Sequence, residues 1–289
     1  MNDKPPSPWD KASIRTTDAR KRENTGRRKE AAPAGEERPA VARHEAGNKQ
    51  ELRYYGLNAV QAVFARRPQA IRKVYLSEAR IPQLQPLLAW CVKQRIGYRV
   101  VEESDLGKLA ASSHHEGVVA DVLRVEPQSL SDWLHGLSAG PALALWLDGV
   151  GNPHNFGAIL RSAAHFGVAA ILQSRDSTLA VSGAAARVAE GGAEQVPLVR
   201  MGERDAALAQ LRAAGFVLAA TVVREGQDLF ATRLPQRLVY VMGAEGEGMD
   251  DELATSCDLR LSIPGTGAVE SLNVAAATAV FLAQWTLGH

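Results

Sequence analysis

Hydrophobic positions fall into two alternating regimes, separated by a Pro/Ser/Gly-rich stretch. In the first, Leu57, Val60, Val63 and Phe64 recur at helical spacing, and IRKVYL (71–76) reads as a strand. A helix is predicted over 82–94 with Leu84, Leu87, Leu88 and Cys91 inside, then a strand over 98–102. A short helix capped by Ser104 and running through Leu109 follows, and a strand over 117–125 closes the unit. This alternation predicts a small α/β/α sandwich over 52–125. The second regime, 142–289, predicts strands at 143–148, 169–173, 216–221, 238–242 and 258–263. They are interleaved with helices at 155–166, 182–190 and 204–214, and a last helix from 271. Such a pattern implies an α/β domain with a parallel sheet, helices on both faces and right-handed crossovers. The segment between, EPQSLSDWLHGLSAGP (126–141), reads as a linker with one short helix.

Residues 1–50 show neither period. They are rich in Lys, Arg, Glu, Ala and Pro with Trp9 as their one aromatic, and cannot bury enough apolar surface to offset their ordering entropy. A disordered basic tail is expected. It holds 12 Lys/Arg against 8 Asp/Glu, so its charge of +4 sits on a remainder near −3, hidden within an overall +1. Basic clusters at 20–22 and 27–29 suit salt-dependent phosphate contacts. The N-terminus lacks the apolar core of a signal peptide, and no run approaches about 18 apolar residues, so cytoplasmic location without membrane insertion is expected. Cys91 and Cys257 lie far apart without CxxC or Cys/His spacing, which argues against zinc and against a disulfide framework. The run His114-His115-Glu116 invites a metal reading, but adjacent His side chains diverge and no third ligand follows. A loop is expected there, and no metal.

Three clusters stand where strands of the second unit end. The first, LDGVGNPHNFGAILRSAAHFGV (147–168), passes from strand through a polar turn into a helix expected to open on Asn155. On that helix Arg161 has Gly157 one turn before it and Ala164 three residues after it, a small-residue face that leaves a guanidinium room to reach a docked ligand. The second, MGAEGEGM (242–249), places Glu245 among Gly243, Gly246 and Gly248, glycines that let backbone approach a ligand. It lacks the Lys-Ser/Thr of a phosphate-binding P-loop. The third, IPGTGAVESLN (263–273), leads into the last helix, with Ser271 as the expected N-cap and Asn273 in the first turn. Strand ends followed by turns and helix N-termini are where open α/β sheets bind ligands. The final helix, 272–285, is apolar nearly all round, so one side needs a cover beyond its own sheet. A homodimer through this helix is predicted.

NPHNFGAILRSAAHFG, LVYVMGAEGEGM and LSIPGTGAVESLNVAAATAVFLAQW resemble, in order and spacing, the three motifs of the SpoU/TrmH family of RNA 2′-O-ribose methyltransferases, within the SPOUT superfamily. The region 53–125 is similar, less specifically, to the L30e-like substrate-binding domain of many members. The whole chain looks closest to a bacterial branch known only as tRNA/rRNA methyltransferases. The resemblance implies a trefoil-knotted catalytic domain and S-adenosyl-L-methionine (AdoMet) held by backbone of Gly243, Ile263 and Leu272. It also implies a polar set of Asn155, Arg161, Glu245, Ser271 and Asn273, and an RNA substrate, tRNA or rRNA. One departure is Glu190 before Gly191-Gly192-Ala193, where relatives carry a small residue; it bears on the substrate if that loop touches RNA. A guanidinium is a poor base, so Arg161 is assigned to gripping RNA phosphate, with Asn155 fixing the hydroxyl and Glu245 orienting the Arg. Two other readings compete. A catalytically idle RNA-binding or ribosome-assembly factor would keep the fold without cofactor affinity. A Rossmann-type enzyme would need a glycine fingerprint after the first strand, where Gly149, Gly151 and Pro153 stand instead.

Overall fold

In a computed structural model of the protein, residues 51–244 and 248–289 are described. The expected tail 1–50 and Glu245 lie outside them. The first unit is a four-stranded sheet of β1 (Glu51–Tyr55), β2 (Ile71–Leu76), β3 (Gly97–Val100) and β4 (Val118–Leu123), in the order β1-β4-β2-β3. β4 runs antiparallel to both neighbours, and β2 and β3 are parallel. Alternation on the strands separates two cores. Tyr54, Ile71, Val74, Leu76, Ala120 and Val122 face α1 (Leu57–Arg66) and α2 (Ile81–Gln94), which supply Val60, Val63, Leu84, Leu87 and Cys91. Tyr55 and Val119 point the other way, onto Leu106 of α3 (Glu103–Ala110). The sandwich reading was incomplete in one strand, since β1 was not anticipated. Glu102, not Ser104, occupies the cap position of α3, and Ser104 lies inside the helix.

The second sheet has eight strands: β5 (Gln128–Ser129), β6 (Ala142–Leu147), β7 (Ala170–Gln173), β8 (Leu198–Arg200), β9 (Val217–Thr221), β10 (Gln227–Asp228), β11 (Arg237–Met242) and β12 (Leu259–Ser262). Their order is β10-β12-β9-β11-β6-β7-β8-β5, and every neighbouring pair is parallel. All six residues of β6 are buried, as a strand covered on both faces must be. Leu143, Leu145 and Leu147 join Tyr240 and Met242 beneath α5 (Pro153–His165), α6 (Gly183–Ala189) and α9 (Val274–Leu287). Ala144 and Trp146 face α7 (Arg204–Ala213) and α8 (Asp251–Ser256) on the opposite side. Residues 126–141, read as a linker, do more than connect. β5 pairs with β8, and Leu130 and Trp133 of α4 (Leu130–Gly136) enter the second core.

From β6 the chain steps outward to β7 and β8, crosses back to β9, and then sets β11 between β9 and β6. The strand order therefore reverses at the β6/β11 pair, and the carboxyl ends at such a switch point are where open α/β sheets bind ligands.

α6 and the turn after it carry the contact between the two units. Gly183 lies so close to β1 that a Cβ there would stand 2.3 Å from the Arg53 carbonyl oxygen. Arg187 pairs with Glu116 at 2.5 Å and Glu190 at 2.8 Å, and the Asn58 amide donates to Glu190 at 2.5 Å. Arg67 makes two bonds to Glu194, of 2.6 and 2.8 Å, from a setting in which both side chains are largely buried. Glu190, the departure from the family's small residue, has a structural role here. It closes α6 in the left-handed region (φ 51°) and its carboxylate faces the first unit. Glu116 of the His114-His115-Glu116 loop serves the same contact through Arg187, and within the first unit it accepts the Leu57 backbone N–H at 2.8 Å. Among the described residues no group of three or more His, Cys, Asp or Glu is arranged to hold a metal ion, and no helix is long and apolar enough to cross a membrane.

Candidate active site

The first cluster is built on α5, which begins earlier than its sequence suggested. Pro153 is the first helical residue and Asn152 the cap, its side chain accepting from the backbone N–H of His154 (2.8 Å) and Asn155 (3.4 Å). The Asn-Pro pair explains this: Pro presets φ where no N–H is required, and Asn before it satisfies the orphan donors. Asn155 is thereby released from capping, and its side chain sits in the first turn.

The third cluster shifts likewise. Asn273, not Ser271, caps α9, accepting from the N–H of Ala275 at 3.0 Å and Ala276 at 3.4 Å. Its amide nitrogen donates to Asn155 Oδ1 at 3.1 Å. Two motifs 118 residues apart thus meet through one side chain that both terminates a helix and holds its neighbour. Ser271 lies on the exposed loop before the cap.

Arg161 is exposed on α5 and, among the described residues, makes no hydrogen bond or ion pair. The small face beside it has a different cause from the one its sequence suggested. A Cβ on Gly157 would stand 2.6 Å from the Ala185 carbonyl and 2.7 Å from Val188 Cβ, so α6 packs there. Gly192 meets the α5 backbone at Leu160 and Arg161 in the same way. The space is filled by the protein's own chain, which buttresses the helix from behind while Arg161 is exposed at the surface.

The second cluster folds back on itself. Ala244 and Gly248 exchange backbone bonds of 2.9 and 3.1 Å, and a Cβ on Gly243 would lie 2.6 Å from Gly248 C and Met249 N. Only glycine fits that crossing. The β6 and β11 ends are also tied together: Asp148 N donates to the Met242 carbonyl at 2.9 Å, and the Asp250 N–H donates to the Asp148 carboxylate at 3.3 Å. Gly243 and Ile263 follow the ends of β11 and β12, one strand apart, or roughly 10 Å at ordinary strand spacing. Leu272 is 48% exposed and Val269 71% on the loop that returns to α9, an apolar surface facing water next to these backbone groups. Below, Tyr240 is fully buried against Phe281, ring centroids 5.0 Å apart, and burial raises its hydroxyl pKa far above the ordinary tyrosine value.

Asn155 and Asn273 are therefore brought into contact, Arg161 is exposed on the same helix as Asn155, and Gly243, Ile263 and Leu272 share the carboxyl edge of the sheet. The roles of Asn152 and Asp148 were missed, although Asn152-Pro153 is a recognisable helix start.

Residues 142–283 match the SpoU rRNA methylase family and residues 54–128 match a family described as RNA 2′-O ribose methyltransferase substrate binding. The chain is 38% identical over 247 residues to a protein named uncharacterized tRNA/rRNA methyltransferase YfiF of Escherichia coli O157:H7, covering 86% of this chain and 70% of that one. It is 35% identical over 231 residues to the 23S rRNA (guanosine-2′-O-)-methyltransferase RlmB of Pseudomonas putida, covering 79% and 93%. Its fold is that of the SpoU methyltransferase AviRb from Streptomyces viridochromogenes, solved in complex with AdoMet, with TM-score 0.69, 22% identity and coverage of 85% and 93%. An AdoMet-bound rRNA methyltransferase from Sinorhizobium meliloti superposes with TM-score 0.68 at 23% identity, over 84% and 89%. Relatives of this identity span most of both chains, and the family match begins with β6 and takes in all three strand-end clusters; the chain belongs to the SpoU rRNA methylase family of methyltransferases.

Proposed function

We propose that the protein methylates a ribose 2′-hydroxyl in structured RNA, tRNA or rRNA, using AdoMet. The observation that carries this reading is the Asn273–Asn155 bond, which joins the cluster leading into α9 to the helix bearing the exposed Arg161. The residues suit the cofactor: backbone of Gly243, Ile263 and Leu272 at the sheet's carboxyl edge, beside exposed apolar surface on the 264–273 loop. When bound, AdoMet supplies an electrophilic methyl group on a sulfonium.

In this reading the remaining work is positional and electrostatic. Asn155, held by Asn273, fixes the 2′-hydroxyl in line with the methyl at about 3 Å. Arg161 grips the adjoining RNA phosphate and stabilises charge growing on the hydroxyl oxygen, a task for a permanent cation with a planar donor fork. Glu245 orients Arg161, and Ser271 shapes the ribose side. The hydroxyl proton leaves to phosphate or water. Arg161→Lys is expected to lower methyl transfer to RNA at least about a hundredfold with AdoMet affinity unchanged, the scale of removing one preorganised transition-state donor. Near wild-type turnover would sink the role.

The proposal extends to architecture. Residues 142–289 form a trefoil-knotted SPOUT domain in which the 263–273 loop passes back to α9. Residues 52–125 form an L30e-like RNA-binding domain, 126–141 connect the two, and the basic arm 1–50 works on phosphates in the cytoplasm. A homodimer covers α9. Its inward residues Val274, Thr278, Phe281 and Leu282 are buried, while Ala276, Val280, Ala283 and Leu287 recur at spacings of four and three on the other side, with Leu287 84% exposed.

A further inference from the structure

The loops after β6 and β7 enclose a cavity of about 290 Å3, walled on one side by the 149–153 turn and on the other by residues 177–182. Among the described residues, its walls include none of the three backbone positions assigned to the cofactor. They do include Pro153, the first residue of α5, so the cavity adjoins the turn that carries Asn155.

The far wall is built rather than loose. Arg200 Nη1 donates to the carbonyls of Ser177 (2.6 Å) and Arg175 (3.2 Å), fastening the loop from behind. Gln173, fully buried at the end of β7, donates its amide N–H to the Leu179 carbonyl at 2.9 Å, and Leu179 N donates to Ser177 Oγ at 3.2 Å. Among the described residues Gln173 Oε1 has no partner, although it is buried at the base of this loop.

The wall chemistry selects a ligand class. Among the described residues no Lys, Arg, Asp or Glu contributes, so these walls offer no counter-charge to a phosphate. Val150, Pro153 and Leu179 offer apolar surface to a flat ring; Ser177 and Ser182 Oγ accept from Leu179 N and Ala185 N, which leaves their O–H groups, with that of Thr178, as donors for a ring's edge. The volume lies at the small end of the roughly 300–1,000 Å3 range of ligand pockets, enough for one heterocycle. Proteins that read RNA take such single neutral heterocycles from unstacked nucleotides, bonding them by their edges.

We propose that this cavity receives the nucleobase of the nucleotide to be methylated, drawn out of its stack, so that its ribose is delivered to Asn155 and Arg161. The inference rests on the methyl-transfer reading of the adjoining site. It makes the 177–182 loop a determinant of which nucleotide is accepted, and Arg200 and Gln173 positioning residues for that loop.

The test uses the full-length protein and two variants, A180W and T178W, each placing an indole in the cavity from an exposed position. Three quantities are measured: AdoMet affinity by calorimetry, labelled methyl transfer to total RNA from a strain lacking the gene, and binding of the four nucleoside 5′-monophosphates by saturation-transfer NMR. The expected result is AdoMet affinity within twofold of wild type in both variants, which also reports folding. Transfer should fall at least a hundredfold, and a mononucleotide signal present in wild type should be lost. Transfer within threefold of wild type in both variants, or a mononucleotide signal absent from wild type or indifferent to the indole, overturns the proposal. Wild-type protein that neither binds AdoMet nor methylates RNA, yet shows an indole-sensitive mononucleotide signal, overturns the methyl-transfer reading and leaves the base site standing.

Discussion

The Arg67–Glu194 pair offers the sharpest test of how the two units are held together. The side chains are 14% and 4% exposed, the contact is bidentate, and Arg67 also donates to the Leu123 carbonyl at 2.5 Å with its guanidinium 5.9 Å from the Tyr54 ring centroid. Glu194→Ala removes both carboxylate bonds and leaves a buried cation with one carbonyl partner. Breaking a buried pair from one side costs about 3–5 kcal/mol, because the surviving charge is uncompensated. For a protein of this size, at about 2–4 °C per kcal/mol, that predicts a fall in Tm of roughly 10 °C. The loss belongs to the orphaned charge more than to the bond, so Arg67→Met added to Glu194→Ala should restore much of it. A coupling energy of about 2 kcal/mol is expected. Urea unfolding followed by circular dichroism, with the two singles and the double, measures each corner of the cycle. Glu252→Ala is the control: its partner Arg204 is at 3.3 Å but both side chains are exposed, and its effect should stay within about 0.5 kcal/mol. If Glu194→Ala also falls within that limit, or the double is simply additive, the junction is not held by this pair.

Asn273→Asp should keep the α9 cap, whereas Asn273→Ala should lose about 1 kcal/mol of stability on thermal melts. Both should abolish the donation to Asn155 and so methyl transfer to RNA, and an active Asp variant would break the proposed link. Gly157→Val forces a branched side chain into Ala185 and Val188 and should destabilise by about 1–3 kcal/mol or more in urea titrations. Burial first, and then the charge of Asp258, raises the Cys257 thiol to about 11, so iodoacetamide at pH 8 should label it far more slowly than an unfolded control. Because the folded state holds that proton more tightly than an unfolded thiol near 8.5, its contribution to stability is complete below that pH and is lost as pH rises toward 11. Ala276→Arg should turn the proposed dimer into a monomer in light-scattering measurements, and an unchanged mass would remove α9 as the interface.

The broad architecture was legible because β6, β11 and α9 are strongly patterned: continuous apolar strands ending in Gly/Pro turns, and a helix with no polar side. β5, β8 and β10 span two or three residues each, too short to show a period, and exist because a neighbouring strand is already in place. The cap of α9 could not be read, since Ser271 and Asn273 are both good cap residues and the structured alternative includes a contact with Asn155 118 residues away. The small residues around Arg161 read as room for a guanidinium to reach a docked ligand, whereas Gly157 is small because α6 packs against it. Local sequence could not say that the approaching body was α6, because that depends on how a later segment returns to the sheet. Glu190 is similar: its departure from the family's small residue was visible, and its partners Asn58 and Arg187 were not.

The insertion of β11 between β6 and β9 has a consequence for how the molecule comes into being. Its register pairs Ala142 with Arg237, 95 residues further along the chain, and the Asn155–Asn273 contact closes a longer loop still. Contacts of such separation are reached only after most of the closure entropy has been lost, so they form late and slowly. During synthesis the β6–β7–β8 half emerges with one flank of its central strand unpaired, an edge of the kind that recruits other chains. Both β11 and the segment leading into α9 must be made before that edge is closed and the strand-end clusters meet. Catalytic competence therefore arises only after β11 and the start of α9 have been made, and a message truncated anywhere before β11 yields a body with an open sheet and no site.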